Sequence, residues 1–395
     1  MSTIKVSAIK NASSSDGGIA IDASGHVTVD GQQLPTEGAL SNRNFVINGA
    51  MQVAQRGTSF TYAHDGTASG YNIDRMSFVT SGADSYDCTV SQSTDAPSGF
   101  AKSWKVTTGT AEASIDANDL IYFRTVLEAQ NLQPLDYGSS SAKTIAISFY
   151  VKSSVSGTFG LGLYTTDGSR NRTSTYTINA TNTWERKTVT FTGDTASTID
   201  DNNGRGLDIY WILASGSNWD STDSTAWGGY SASRWAFGHA QDGVITTASA
   251  TWQITGIQLE LGNQATPFEH KSFSEELQKC KRYFQRSYPY GVATGAITYS
   301  GASIYRGNTA TTVTPYVPVK LETEMRATPD IELRSPDTGV ADTVSAGIGS
   351  GGSQVAVTAG VSSAGATAFM YYNAGTSSPA YYNLYAHHIC TSELT

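Results

Sequence analysis

Apolar and polar residues alternate with a period of two along most of this chain, the pattern of strands that bury one face. Residues 144–152 show it most plainly: Ile145, Ile147, Phe149 and Val151 fall on one face, and Ala146, Ser148, Tyr150 and Lys152 on the other, wet one. Val189 and Phe191 turn inward in the same way between Thr188, Thr190 and Thr192. Turn signals recur roughly every ten residues over 43–270, which predicts a many-stranded sandwich or barrel. In TWQITGIQLELG the phase slips: Trp252 and Ile254 have one parity, Ile257, Leu259 and Leu261 the other. A bulge at Thr255-Gly256 returns both groups to one face, because a single extra residue resets the alternation.

The pattern weakens at both ends of that region. Residues 1–35 carry only brief alternations (Ile4/Val6/Ala8, Ile19/Ile21, Val27/Val29), too few to bury a core, so this segment is expected to pair with a partner chain or dock on another protein. Residues 36–42 read as a linker. Within a connecting stretch, 271–287, a helix is predicted over 273–287. Ser272 and Glu275 make a capping box there, with acids in the first turn and bases in the last. Phe273, Leu277, Cys280 and Phe284 form a narrow stripe that fits a coiled-coil trimer seam, a helix across a sheet edge, or a helix packed on its own domain. Residues 288–395 hold 10 of the 21 Tyr and no Trp, and read as a second, small β domain. The predicted fold is all-β: a short N-terminal β segment, a central sandwich, one short helix and a C-terminal β domain.

Composition sharpens this picture. Charged residues are 15% of the chain, against a usual share of about 25%. All seven Trp lie between 104 and 252, so the large aromatic core or surface belongs to the central domain. A net charge of −9 is the wrong sign for gripping a phosphate backbone, which argues against nucleic acid as a partner. The start, MSTIKVSAIKNASSS, has no apolar leader core, and no apolar run is long enough to cross a bilayer, so a soluble protein made in a cytoplasm and without a membrane partner is expected. Cys88, Cys280 and Cys390 are odd in number and far apart, and are read as reduced thiols.

Catalytic signatures are missing: no G-x-S-x-G elbow, H-E-x-x-H pair or Walker loop occurs. Gly347-Ile348-Gly349-Ser350-Gly351-Gly352 matches a dinucleotide fingerprint only formally, because no helix pattern follows it. His387 and His388 would point to opposite faces of a strand. The acidic runs at 200–204 and at Asp220/Asp223 read as solvated turns rather than Ca²⁺ sites. The chain is therefore expected to be no enzyme and to need no metal or cofactor. The strongest binding signal is SGSNWDSTDSTAWGGYSASRWAFG, where Trp219, Trp227, Tyr230 and Trp235 sit in a polar loop. Rings on a loop offer flat faces for a sugar, with Asn218, Asp220, Asp223 and Arg234 to hydrogen-bond it; in the competing reading Trp227 and Trp235 plug the end of their own sandwich.

Two groups of residues carry a resemblance. Arg43-Asn44-Phe45-Val46-Ile47-Asn48-Gly49, Gln52-Val53-Ala54-Gln55-Arg56-Gly57 and Tyr71-Asn72-Ile73-Asp74-Arg75 form the first. The second is 254–262, Ala265-Thr266-Pro267-Phe268-Glu269-His270, and Glu275-Glu276-Leu277 with Cys280, Arg282, Tyr283 and Phe284. Both resemble the boundaries of the large β domain in bacteriophage tail-fibre and virion appendage proteins. IKVSAIKN…IAIDASGHVTVDG is similar to the start of fibre proteins from marine, often cyanobacterial, phages, and Pro329 with 335–339 to their C-terminal domain. The resemblance implies a jelly roll like a carbohydrate-binding module, a homotrimer, attachment to other virion proteins through the N-terminal segment, and localisation in a virion assembled in the host cytoplasm. Its expected function is non-covalent recognition of host surface polysaccharide, with a structural capsid fibre or decoration protein as the alternative and a depolymerase behind both. The N-terminal segment is much shorter than the adapter domain of long podovirus tail fibres, which leaves tail and capsid attachment both open.

Overall fold

The alternating stretches fold as antiparallel strands in the computed structural model, which describes residues 8–9, 18–21, 27–29, 32–33, 41–63, 67–83, 85–311, 315–348, 354–375 and 381–394. The chain divides into two compact units: Met1–Met51, Thr61–Ser69 and Phe78–Lys271 form the first, and Gln52–Phe60, Gly70–Ser77 and Ser272–Thr395 the second.

The first unit opens with a meander of Ala8–Ile9, Ile19–Ile21, Val27–Val29 and Gln32–Gln33. Ile9 stands opposite Ile19, Ile19 opposite Val29, and Ile21 opposite Val27, so these residues share one face. Ile9, Ile19, Ile21 and Val29 are exposed, and among the described residues the little sheet buries no core of its own. Ile4, Val6 and most of the expected linker lie outside the described residues.

Two larger sheets form a jelly-roll sandwich. One runs in the order Gly228–Gly229, Arg170–Ile178, Gly157–Thr165, Arg205–Ser215, Leu120–Glu128, Met76–Ser81, Thr67–Tyr71. The other runs Glu185–Phe191, Ile145–Ser153, Thr251–Leu261, Ser103–Thr108, Cys88–Ser93, Ser59–Tyr62. The chain crosses between the sheets repeatedly, and their inner faces meet in an aromatic core. Trp104, Phe123, Phe149, Trp211 and Trp252 are fully buried, with Trp104–Phe123 centroids 4.7 Å apart and Phe123–Trp211 5.4 Å. Burying such a side chain contributes about 1.5–3 kcal/mol, so the tryptophan-rich sequence concentrates stability here.

The expected bulge is present. Ser148 pairs with Gln258 but Tyr150 with Thr255, and Trp252, Ile254, Ile257 and Leu259 all end fully buried. Gly256 takes φ +63°, and a Cβ there would stand 2.7 Å from the Phe100 ring, so the slip in hydrophobic phase coincides with a position that favours glycine.

Ala146 and Ser148 differ from the expected wet face: both are buried. Their cross-strand partners Glu260 and Gln258 lie under two other segments of the chain. Arg43 donates to Thr266 Oγ1 and the Pro267 carbonyl (2.8 Å each), Asn44 Nδ2 to the Ile257 carbonyl (3.1 Å), and Thr266 N and Oγ1 to Glu260 (2.8 and 2.7 Å). Motif residues from the two ends of this domain thus meet as a polar closure over the sheet.

In the second unit the helix spans only Phe273–Lys281, its cap formed as expected by Ser272 Oγ accepting from Glu275 N (3.3 Å). Phe284–Arg286 leaves the helix to pair with Tyr381–Thr391, a long strand that also pairs with Ser303–Thr311, Asp330–Arg334 and Thr343–Ile348. This corrects the expected seam: Phe273, Leu277, Cys280 and Phe284 do not share one helical stripe. Phe273 is 40% exposed against Tyr290, Leu277 is half-buried, Phe284 lies in a strand, and the buried helix positions are Glu276 and Cys280. Sheet pairing and burial of Phe284, Gln285 and Arg286 override a helical periodicity that was too short to compete. Cys88, Cys280 and Cys390 are free and buried.

Residues 52–60 and 70–77, counted in the sequence with the central domain, belong to this second unit, where they hold part of a buried ionic network. Arg75 pairs with Glu393, each side chain 2% exposed, and Arg56 reaches Glu393 at 2.9 Å. The two guanidinium groups lie 3.6 Å from the Tyr283 centroid and 3.8 Å from that of Phe284. Burial works against the Arg75 charge, yet the Glu393 carboxylate holds its pKa above the ordinary value.

His387 and His388 do face apart. His387 Nδ1 meets Ser287 Oγ at 2.9 Å and its ring stacks on Tyr288, while His388 packs on Phe369. Burial, then the neighbouring His387, pushes the His388 pKa from 6.5 down to about 4. The unfolded chain therefore takes up this proton first. The contribution, about 3 kcal/mol at most, is complete above pH 6.5 and lost as pH falls from there towards 4. Urea midpoints of the second unit's transition should drop across that window and should drop less in His388→Gln; equal pH dependence in the two proteins would refute the assignment.

Candidate functional site

The aromatic loop lies over the outer face of the seven-stranded sheet of the first unit. On Leu120–Glu128 the inner residues are Ile121, Phe123 and Thr125, which puts Tyr122, Arg124 and Val126 on the other side; by register Ile212, Tyr210 and Asp208 are their counterparts on Arg205–Ser215, and Gly162 and Tyr164 those of Tyr210 and Asp208 on Gly157–Thr165. Gly162 matters through close approach: a Cβ there would stand 2.1 Å from the Tyr210 ring. With that position bare, Tyr210 lies flat across the sheet and Trp235 stacks on it, centroids 4.1 Å apart and planes 6° from parallel.

Trp235 is consequently 6% exposed and joins Leu120, Tyr122, Tyr210, Ile212 and Ala236 in an apolar cluster, with Tyr164 and Trp219 packed at its margin. It offers no open ring to a ligand, which corrects its place among the expected platform residues. Arg234 is also committed to the fold. Its guanidinium donates to the carbonyls of Asp223 and Ala226 and to Asn171 Oδ1, while Asn171 Nδ2 donates to the Arg234 carbonyl (2.9 Å). Asp223 accepts from Thr225 N and Oγ1 (2.8 Å each), and these bonds hold its carboxyl below the usual range. Asn218 Nδ2 donates to Asn118 Oδ1 (2.7 Å), and burial raises the Asp220 carboxyl, with the nearby Asp242 adding to the effect. The other acidic run is knitted up likewise, Asn202 Oδ1 accepting from Gly204 N at 2.7 Å; among the described residues no cluster of three metal-ligating side chains occurs.

The remaining rings occupy separate places. Trp227 is half-buried, packs edge-on to Tyr137 and donates its indole N–H to the Thr192 carbonyl (2.7 Å). Trp219, also half-buried, donates to the Asn118 carbonyl (2.9 Å). Tyr230 is 42% exposed, edge-to-face with Trp235 and Tyr164 at 5.7 and 5.4 Å. Beside Tyr164 lies an ionic group: Asp208, wholly buried, accepts from Arg205 Nε at 2.7 Å and Arg124 Nη1 at 3.3 Å, with the Arg205 guanidinium 5.6 Å from the Tyr164 ring centre. Burial holds the Tyr122 and Tyr230 phenols above their ordinary pKa, so both are neutral hydroxyls.

The surface is thus a strip of Arg124, Tyr164, Arg205 and Tyr230 over the buried Tyr122 and Asp208, walled by the loop. Of these the sequence singled out only Tyr230. The signal for the others was present in strands too apolar to alternate: Arg124 and Asp208 sit at the parity opposite the core residues, and FGLGLY places glycines at alternate positions on the face that carries the large rings.

No protein-family model and no curated protein matches the chain. Solved structures similar to part of it include the enzymatically active domain of tailspike protein 4 from bacteriophage CBA120, at 12% identity and TM-score 0.30, covering 56% of this chain and 22% of that one. They also include TmCBM61 in complex with β-1,4-galactotriose, at 8% identity and TM-score 0.26, covering 56% of this chain and 100% of that one. A third is the C-terminal family 22 carbohydrate binding module of Clostridium thermocellum Xyn10B, at 12% identity and TM-score 0.29, covering 57% and 98%.

Proposed function

We propose that this chain is a bacteriophage virion fibre whose sandwich binds host-surface polysaccharide without cleaving it. The observation that carries the reading is the strip on the seven-stranded sheet, where the exposed Tyr230 stands beside Tyr164, neutral phenols and a buried ionic group. Rings combined with a few fixed polar groups suit a sugar, whose C–H face packs on an aromatic surface while its hydroxyls find partners. The phage assignment is supported by the motif residues around 43–75 and 254–284. The uncovered apolar face of the N-terminal meander supports docking of that segment on other virion proteins.

Tyr230→Ala should lower single-site glycan affinity about tenfold, the loss expected for about 1–1.5 kcal/mol of ring contact, and should slow adsorption of virions carrying it. The exposed position keeps the stability change below about 1 kcal/mol. Unchanged adsorption by a folded Tyr230→Ala fibre would reject the strip as the receptor site. Three copies would multiply weak contacts into avidity, and light scattering should give about 125 kDa, three times the 41.8 kDa chain; a stable monomer would remove avidity from the mechanism.

A further inference from the structure

We infer that the sugar taken by this strip is uncharged, an inference that rests on the glycan-binding reading above. Both guanidinium groups within the strip are already turned onto carboxylate. Arg124 and Arg205 converge on Asp208, which has no exposed surface of its own. Glu128, also buried, stands opposite Arg205 across the two strands and four residues beyond Arg124 along its own strand. Two positive charges therefore share this part of the face with two negative ones.

The loop adds Arg234, committed to the carbonyls of Asp223 and Ala226, together with the carboxylates of Asp220 and Asp223. Strip, Glu128 and loop together thus carry three guanidinium groups and four carboxylates, and the whole chain carries −9. A uronate, sulfate or phosphate on the sugar would meet no surplus of positive charge and would be desolvated beside like charge. The groups suited to a ligand are the hydroxyls of Tyr164 and Tyr230 and the apolar surface of their rings. These select hydroxyl-rich, neutral hexose or pentose rings. Recognition of this kind depends little on salt, since it pairs no opposite charges across the interface.

The test uses the purified full-length chain and two sets of soluble probes in affinity electrophoresis and titration calorimetry. The neutral set is galactan, xylan and mixed-linkage glucan; the acidic set is polygalacturonate, alginate and hyaluronate. At least one neutral polymer should bind, its affinity changing less than about twofold between about 20 mM and about 500 mM NaCl, and Tyr230→Ala should weaken it. Binding confined to acidic polymers and falling steeply with salt would overturn the uncharged-sugar inference while leaving the glycan reading standing. Binding of neither set by a folded protein would overturn both. Binding of a neutral polymer that Tyr230→Ala leaves unchanged would overturn the assignment to this strip.

Discussion

Replacing Glu393 by Ala should destabilise the second unit by about 3–5 kcal/mol. Glu393 is the carboxylate shared by Arg75 and Arg56, and Asp74, 3.8 Å from Arg56, stands in for part of it. Asp74 is itself strained for charge: burial raises its pKa, although Arg56 and the Gln55 backbone and side-chain N–H groups favour its ionised form. Removing Glu393 leaves the Arg75 guanidinium buried against Tyr283 with its carboxylate gone, and a buried charge that loses its partner costs more than the intact pair contributes. The same C-terminal stretch is held by Tyr71 Oη donating to the Leu394 carbonyl (2.6 Å) and by Arg326 Nε donating to the Ser392 carbonyl (2.7 Å), so its backbone should stay docked and the loss should report charge. Urea denaturation of Glu393→Ala and Glu393→Gln measures it, the amide retaining shape and some hydrogen bonding. A loss below about 1 kcal/mol in both would show the network to be dispensable.

Trp235→Ala should cost a comparable amount, about 3–5 kcal/mol, in the first unit. The indole is sandwiched between the loop and Tyr210 and is surrounded by Tyr122, Tyr164 and Tyr230, so truncation opens a cavity lined by rings that cannot all collapse into it. Set beside Tyr230→Ala, it separates two roles that adjacent aromatics share in sequence: Trp235 should shift the unfolding midpoint strongly, and Tyr230 should shift binding. If Trp235→Ala were as stable as the parent and bound sugar less well, the ring would be a platform and not part of the core.

These two experiments probe residues whose significance differs between sequence and structure for a common reason. Alternation over 144–152 and 188–192, the bulge at Gly256 and the Ser272 cap were readable because each is set within a few residues by sterics and local hydrogen bonding. Three groups were not readable in that way. Arg75 and Glu393 are 318 residues apart, and nothing local to either marks it as half of a buried pair. Arg43 and Glu260 likewise acquire a partner only when two distant segments close over the same sheet. The helix over 273–287 was cut at Lys281 because the next residues gain more from pairing with Tyr381–Thr391 than from another helical turn.

The loop makes the same division within one site. Sequence alone determined an all-β chain, tryptophans confined to one domain, and an unusually aromatic polar loop at 215–238, since composition and period are carried by the residues themselves. Only the tertiary structure decided that Trp235 is floor, Arg234 is a staple, Tyr230 is surface, and Tyr164, Arg205 and Asp208 are its neighbours. Which face of a ring meets solvent depends on what stands across from it, and here that is Tyr210, which has room to lie flat because the neighbouring strand is bare at Gly162.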